Sequence, residues 1–357
     1  MNQAFPAFKM KPMNKQAMVD LRSDTVTLPG PGMRRAMARA KVGDDVLGED
    51  PSVNHLQEMA ASLTGKECAL FMASGTMSNQ VALKTHTRHG ESVVVGEGAH
   101  SYLLESGAIS AVSGVVPLVA GRGGTFTRDE FLAQVMSGNI HNPLTTLVMM
   151  ENTHNRGGGI VFPLSDLADI CREARRLGIR SHLDGARVFN AAAATRVSVK
   201  AICRHFDSVS FCLSKGLGAP VGSLLCGSRE FISRALRVRK MLGGGMRQAG
   251  VLAAAGIYAL KHNVERLGDD HLRARFLAEA LAEMDGISID LSRVQTNIVI
   301  FRVQDKKWDA PRLVNALKQE GVLMLALDSH TVRAVTHLDI NDRGIERAVR
   351  AFRKILG

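Results

Sequence analysis

An aspartate and a lysine each follow a short apolar run in this 357-residue chain, and each has glycine close by. Asp184 opens Asp184-Gly185-Ala186-Arg187 after the run 179–183, and Lys215 sits in Ser214-Lys215-Gly216 after the run 208–212. A third run, 69–72, leads into Ser74-Gly75-Thr76 and a helical pattern, where unpaired N–H groups and the helix dipole favour a phosphate. Taken singly, these features are ordinary: an Asp after a strand is a common turn residue, a Lys is usually solvated, and Ser-Gly-Thr can be a simple cap. Taken together, they supply a Schiff-base amine, a carboxylate to partner a pyridinium nitrogen and a phosphate cradle, the groups that pyridoxal phosphate requires.

The elements that must carry these residues are legible from hydrophobic patterning. From Glu58 to about Gly227, short apolar runs alternate with amphipathic stretches, which predicts an α/β fold with a mostly parallel sheet flanked by helices. Strands are expected at 69–72, 92–95, 115–118, 147–150, 179–183, 208–212 and 223–226. Helices are expected at 77–87, 127–136 and 165–177, the last with Ser165 as its N-cap and Gly178 as its stop. In open sheets of this kind ligands gather at the carboxyl ends of the strands, where Asp184, Lys215 and Ser74 all fall. Beyond Val251 the pattern becomes helical and Ala-rich, then shows strands at 298–303, 322–326 and 332–335 with helices at 310–320 and 342–355, a smaller C-terminal α+β unit. The expected division is a loose extension over 1–19, a large domain over 20–265 and a small domain over 266–357.

Composition narrows the function classes. A chain that is 45% hydrophobic and 22% charged folds as a globular protein, and no apolar run reaches the ~20 residues of a membrane span. Five cysteines without a C-x-x-C pair fit buried thiols in a reducing compartment, so the cytoplasm is expected. The net charge of +11 admits a cofactor-free nucleic-acid-binding protein as an alternative, but the basic residues are dispersed and only 4% of residues are aromatic, which argues against a base-stacking platform. Gly96-x-Gly98 lacks the third glycine of a dinucleotide fingerprint, because position 101 is Ser. His86 and His89 have a spacing that could ligate a metal, yet they read as cations in the last turn of a helix, and no metal site is expected.

Longer blocks then carry a resemblance. The segments DLRSDTVTLP (20–29), VGDDVLGEDP (42–51), ASGTMSN (73–79), GAHSYLLESG (98–107), ENTHN (151–155), HLDGARVFNA (182–191), SFCLSKGLGAPVGS (210–223), KMLGGGMRQAG (240–250) and TVRAVTHLD (331–339) follow one another as they do in the low-specificity L-threonine aldolases. These are fold type I pyridoxal-phosphate enzymes, and the resemblance covers Asp20 to the C-terminus.

The resemblance implies retro-aldol cleavage of L-threonine or L-allo-threonine to glycine and acetaldehyde. Bulkier β-hydroxy amino acids such as phenylserine, or β-elimination, are the alternatives within enzymes. It implies that Lys215 is the Schiff-base lysine, that Asp184 holds the pyridine nitrogen protonated, and that His100 stacks on the ring and is a candidate base. Gly75, Thr76 and, from a neighbouring subunit, Arg247 would bind the phosphate, with Lys240 a further candidate. Ser23, Arg187 and Arg333 would grip the substrate carboxylate, which two arginines can bind bidentately. His141 matches a family histidine linked to preference at Cβ, and ENTHN is expected to support the site rather than react. A homotetramer, or at least a dimer, with shared sites is implied, and no nucleic-acid or membrane partner. In one departure, Leu47 stands where the family commonly has Tyr in GDDVYG, which removes a phenol from the expected mouth of the site.

Overall fold

The computed structural model describes residues 18–357. Most of the expected extension, residues 1–17, lies outside the described residues. Its last residue belongs to a strand, β1 (Val19–Asp20). Seven strands follow: β2 (Cys68–Met72), β3 (Ser92–Gly96), β4 (Val116–Ala120), β5 (Thr145–Glu151), β6 (Arg180–Asp184), β7 (Ser208–Cys212) and β8 (Ser223–Gly227). They form one sheet in the order β2-β8-β7-β6-β5-β3-β4. The pairs β4–β3, β3–β5, β5–β6 and β6–β7 are parallel, while β8 runs antiparallel to both β7 and β2. Because β8 reverses between them, β2 points the same way as β7. The carboxyl ends of β2, β3, β5, β6 and β7 therefore open on one edge.

The central strands β3, β7 and β8 are buried along their whole length, as strands covered on both faces must be, and their β-branched and apolar composition suits that position. Val94, Val148, Leu183, Val209, Phe211 and Leu224 join the helices in one large core. The helix Leu164–Arg176 ends as expected before Gly178, whose φ of +74° reverses the chain into β6. Its start differs from the expectation. Pro163, not Ser165, is the N-cap residue, and no side chain caps this end, so Ser165 falls inside the first turn. The expected helix 127–136 stops at Leu132, because Met136 turns to exchange hydrogen bonds with Thr145 at the head of β5.

A second core lies toward the C-terminus around the sheet of β9 (Ile287–Ser288), β10 (Ile298–Val303), β12 (Leu325–Ala326) and β13 (Thr331–Val335). The short β11 (Val322–Leu323) pairs instead with β1, in parallel. The run 322–326 is thus two strands rather than one, broken where Met324 turns into the core. Val19 and Leu21 pack into this second core although they lie at the other end of the described chain. From β1 the chain crosses to the lysine loop, forming a strap between the two cores.

Candidate active site

Each strand end on the open edge delivers a polar group. After β2, Ser74 accepts the N–H of Met77 and caps the helix Gly75–His86, whose N-terminus carries Gly75 and Thr76. Gly75 lies so close to the end of β7 that a Cβ there would come within 2.7 Å of Cys212 Sγ. Past β7, the chain from Leu213 to Gly222 closes on itself through Leu213 N–H donating to Gly222 O (2.9 Å) and Gly218 N–H to Lys215 O (2.8 Å). Gly222 sits at φ +110°, where any Cβ would strike the Phe71 ring. Lys215, half-buried in this loop, has no side-chain hydrogen bond or ion pair among the described residues.

Asp184 ends β6 and is 3% exposed. Its Oδ2 accepts from Asn79 Nδ2 (2.8 Å) and its Oδ1 from the Ala186 N–H (3.1 Å), and no cation among the described residues pairs with it. His100 opens the short helix after β3. Its backbone N–H donates to Glu151 Oε2 (2.8 Å), and its ring Nδ1 donates to Glu105 Oε1 (2.9 Å), the carboxylate being able only to accept. This hydrogen bond raises the His100 pKa above the ordinary imidazole value, against the opposing effect of burial. Glu151 Oε1 also takes the N–H of Asn155 (2.9 Å), so one carboxylate ties the ENTHN segment to the start of the His100 helix.

The strap brings the remaining groups. Ser23 Oγ caps a 3-10 turn at Asp24–Val26, accepting from Thr25 N–H (3.2 Å). Thr27 Oγ1 donates to Lys215 O (3.2 Å) and ties the strap to the lysine loop. Asp24 is fully buried and receives Arg187 Nε and Nη2, both at 2.7 Å. Burial alone would raise the Asp24 carboxyl, but the Arg187 charge and hydrogen bonds, with the Lys215 charge and the Asn297 hydrogen bond, together outweigh it and hold the group well below the usual carboxylate range. Arg333, from β13, donates Nη1 to Asn155 Oδ1 (3.0 Å) and Nη2 to Arg22 O (3.3 Å), while its buried Nε has no partner. Burial and the nearby Arg187 cation both lower the Arg333 pKa. Two neighbouring arginines with donors to spare fit a carboxylate.

Not every expected residue joins this group. His141 is exposed in the loop before β5, with its N–H on Asn139 Oδ1 (2.8 Å). Lys240 is exposed, and exposed Arg247 pairs with Asp44 (2.9 Å). No hydrogen bond or ion pair among the described residues links these three to the His100 and Asp184 cluster. His86 is not a solvated cation at its helix end. It stacks on Phe231 with ring centroids 4.4 Å apart, bonds Ser208 Oγ (2.7 Å), and is driven by desolvation well below the ordinary imidazole pKa. Three residues that pattern reasoning passed over hold the site together: Asn79, Glu105 and Asp24. All three lie inside the conspicuous blocks, at the end of ASGTMSN and within DLRSDTVTLP and GAHSYLLESG, which was their only signal.

The residues present fit pyridoxal phosphate. A buried carboxylate without a cation suits a pyridinium N–H, an unpaired lysine stands on the same sheet edge, and a glycine-led helix N-terminus beside β7 suits the phosphate. Comparison with known proteins agrees. Residues 20–306 match the family model described as "Beta-eliminating lyase". The chain is 46% identical over 341 residues to the low specificity L-threonine aldolase of Escherichia coli K12, covering 95% of this chain and 99% of that one. It is 41% identical over 344 residues to low-specificity L-threonine aldolase 1 of Arabidopsis thaliana, covering 95% and 96%. A solved threonine aldolase from Leishmania major superimposes with a TM-score of 0.80 over 95% of this chain and 99% of that one at 19% identity, which shows the shared fold. The chain belongs to the β-eliminating lyase family, beside its low-specificity L-threonine aldolases.

Proposed function

We propose that this protein cleaves L-threonine and L-allo-threonine to glycine and acetaldehyde with pyridoxal phosphate. The observation that carries the reading is the pairing of a cation-free buried Asp184 with an unpaired Lys215 on one sheet edge, with Arg187 and Arg333 converging beside them. Bound pyridoxal phosphate supplies a sink for the electron pair left on Cα when the Cα–Cβ bond breaks. Lys215 would provide the amine that holds the cofactor. Asp184 keeps the proton on the pyridine nitrogen, and Gly75 and Thr76 bind the phosphate at their helix N-terminus. Arg187 and Arg333, with Ser23, would hold the substrate carboxylate and so fix the orientation of the bonds at Cα. His100 would lie against the cofactor. With Nδ1 committed to Glu105, its Nε2 is the ring atom left to take the β-hydroxyl proton, directly or through a water. A neighbouring copy would bring Arg247 and Lys240 to the phosphate, which makes the working form an oligomer with shared sites.

The test is product analysis with all four threonine stereoisomers. Both L isomers should release glycine and acetaldehyde and the D isomers should not, because the arginine pair and the amine fix two substituents of Cα. Discrimination between the L isomers rests on telling a methyl from a hydroxyl, worth about 1–3 kcal/mol in an apolar pocket, so neither should be rejected outright. Leu47, 68% exposed, offers no hydroxyl that would add to that discrimination. No acetaldehyde from either L isomer, or comparable turnover of D-threonine, overturns the reading.

A further inference from the structure

Two of the cofactor-facing groups are joined behind the site by a pair of residues that would touch neither substrate nor ring. Asn79 Nδ2 donates one hydrogen to Asp184 Oδ2 (2.8 Å) and the other to Glu105 Oε1 (2.9 Å). Its Oδ1 accepts Ser210 Oγ (3.1 Å), which settles the amide orientation, since the reverse placement would face an oxygen toward both carboxylates. Glu105 is 3% exposed and accepts three donors: Asn79, Gln80 Nε2 (2.6 Å) and the His100 ring (2.9 Å). One amide thus bridges two buried carboxylates, and each carboxylate goes on to serve a different group at the site.

We infer that Asn79 and Glu105 are positioning residues that lock His100 and Asp184 into one hydrogen-bonded unit, Glu105 fixing the His100 tautomer and proton affinity and Asn79 fixing the carboxylate plane of Asp184. This rests on the functional reading above and deepens it. Glu105 can only accept, so it keeps the proton on Nδ1 and turns Nε2 outward. Other charged groups also face His100. Glu151 of β5 holds its backbone N–H, Asp184 of β6 raises its proton affinity and Lys215 after β7 lowers it. Among these, Glu105 alone bonds the ring, and that hydrogen bond is the strongest influence on its proton affinity, ahead of the charges of Asp184 and of Glu105 itself. Asn79 has a different burden. Without its two N–H groups, Asp184 and Glu105 would face one another across the cleared space with nothing between them, and Asp184 would keep only the Ala186 N–H to orient it.

The experiment separates the two roles in protein carrying ring-labelled histidine and loaded with pyridoxal phosphate, with His100 assigned through His100→Phe. In Glu105→Gln, which keeps an acceptor oxygen but removes the charge, the His100 ring should titrate about one pH unit lower, a tenfold loss of proton affinity. The acid limb of the kcat profile should move with it. In Asn79→Ala, the His100 titration should move less than in Glu105→Gln, while the pH dependence of the cofactor's visible absorption shifts and cofactor affinity falls about tenfold, the worth of one charge-assisted hydrogen bond. A merely structural role would lower Tm in both variants and move neither titration. An unmoved His100 titration in folded Glu105→Gln, or an unmoved cofactor spectrum in folded Asn79→Ala, overturns the inference. A wild-type protein that takes up no pyridoxal phosphate overturns the functional reading instead, and the His100 titration of Glu105→Gln without cofactor still decides the first half.

Discussion

Arg187 commits two of its five N–H donors to Asp24, and that commitment decides what the other three can do. A guanidinium buried without a counter-charge would be costly, and breaking a buried pair from one side costs about 3–5 kcal/mol. Asp24 therefore does two jobs: it makes the burial of Arg187 tolerable and it fixes the plane in which the free donors meet a substrate carboxylate. Asp24→Asn keeps a hydrogen-bond acceptor but loses the charge. We expect KM for L-threonine to rise about tenfold to a hundredfold, matching a loss of 1.5–3 kcal/mol in a charged hydrogen bond, with a smaller change in kcat. Steady-state kinetics beside a thermal melt checks this, and a lower Tm with an unchanged KM would confine Asp24 to a structural role. Asp24 also shows where sequence reading stops. Asp184 and Lys215 announce themselves by following apolar runs and neighbouring glycine, which is local information. Asp24 and Glu105 acquire their meaning from partners 163 and 26 residues away, Arg187 and Asn79, and no local pattern encodes such distances.

At the scale of elements, strands such as β3 and β8 are readable because runs buried on both faces are largely apolar, and helix ends such as Gly178 carry their own signal. The short segments were harder. β1 is two residues long and exists through its pairing with β11, some 300 residues downstream, a contact that no periodicity in 18–21 reveals. Polar residues inside strands also mislead. His182 lies mid-β6 and is fully buried; its Nδ1 meets Ser208 Oγ (2.8 Å), the same hydroxyl that His86 bonds from the helix Gly75–His86, and its Nε2 has no partner. Burial pushes the His182 imidazole down to about 4, whereas in the unfolded chain it titrates near the ordinary value of 6.5. Between those values the unfolded state binds the extra proton, so stability is full above about pH 6.5 and falls as the pH drops toward 4. The slope is about 1.4 kcal/mol per pH unit for one such group, and His86, shifted the same way, adds to it. Melts from pH 7.5 to 4.5 should show Tm falling through this window, and His182→Asn, which can still bond Ser208, should flatten the fall. An equally steep profile in that variant would place the acid sensitivity in other groups.

At the scale of the whole molecule, several large apolar residues stay exposed on one chain. Leu47 is 68% exposed, Met241 60%, Val42 46% and Val251 41%. They sit on segments that meet around one loop: Asp45 N–H donates to Arg247 O, and a Cβ at Gly245 would touch the side chains of Val46 and Lys240. Exposed apolar residues gathered on contiguous segments mark an interaction face. Arg247 stands in its midst, exposed, its side chain held among the described residues only by Asp44, while the helix N-terminus at Gly75 and Thr76 lacks a cation of its own among the described hydrogen bonds and ion pairs. Both facts are explained if two copies meet here and each lends Arg247 to the other's phosphate subsite. The arrangement makes a prediction that a self-contained site cannot imitate. Lys215→Ala and Arg247→Ala chains should each be impaired alone when assayed at limiting pyridoxal phosphate, the first for want of the amine and the second for weakened phosphate binding. In a hybrid dimer, one site receives Lys215 from one chain and Arg247 from the other and is intact, while the second site lacks both. With random exchange half the dimers are hybrids, so the mixture should recover about a quarter of wild-type activity. Subunit exchange followed with two affinity tags, and activity measured on the doubly tagged fraction, gives the answer. Recovery there places the catalytic unit at the level of the pair, whereas exchange without recovery would mean that Arg247 serves only the chain that carries it.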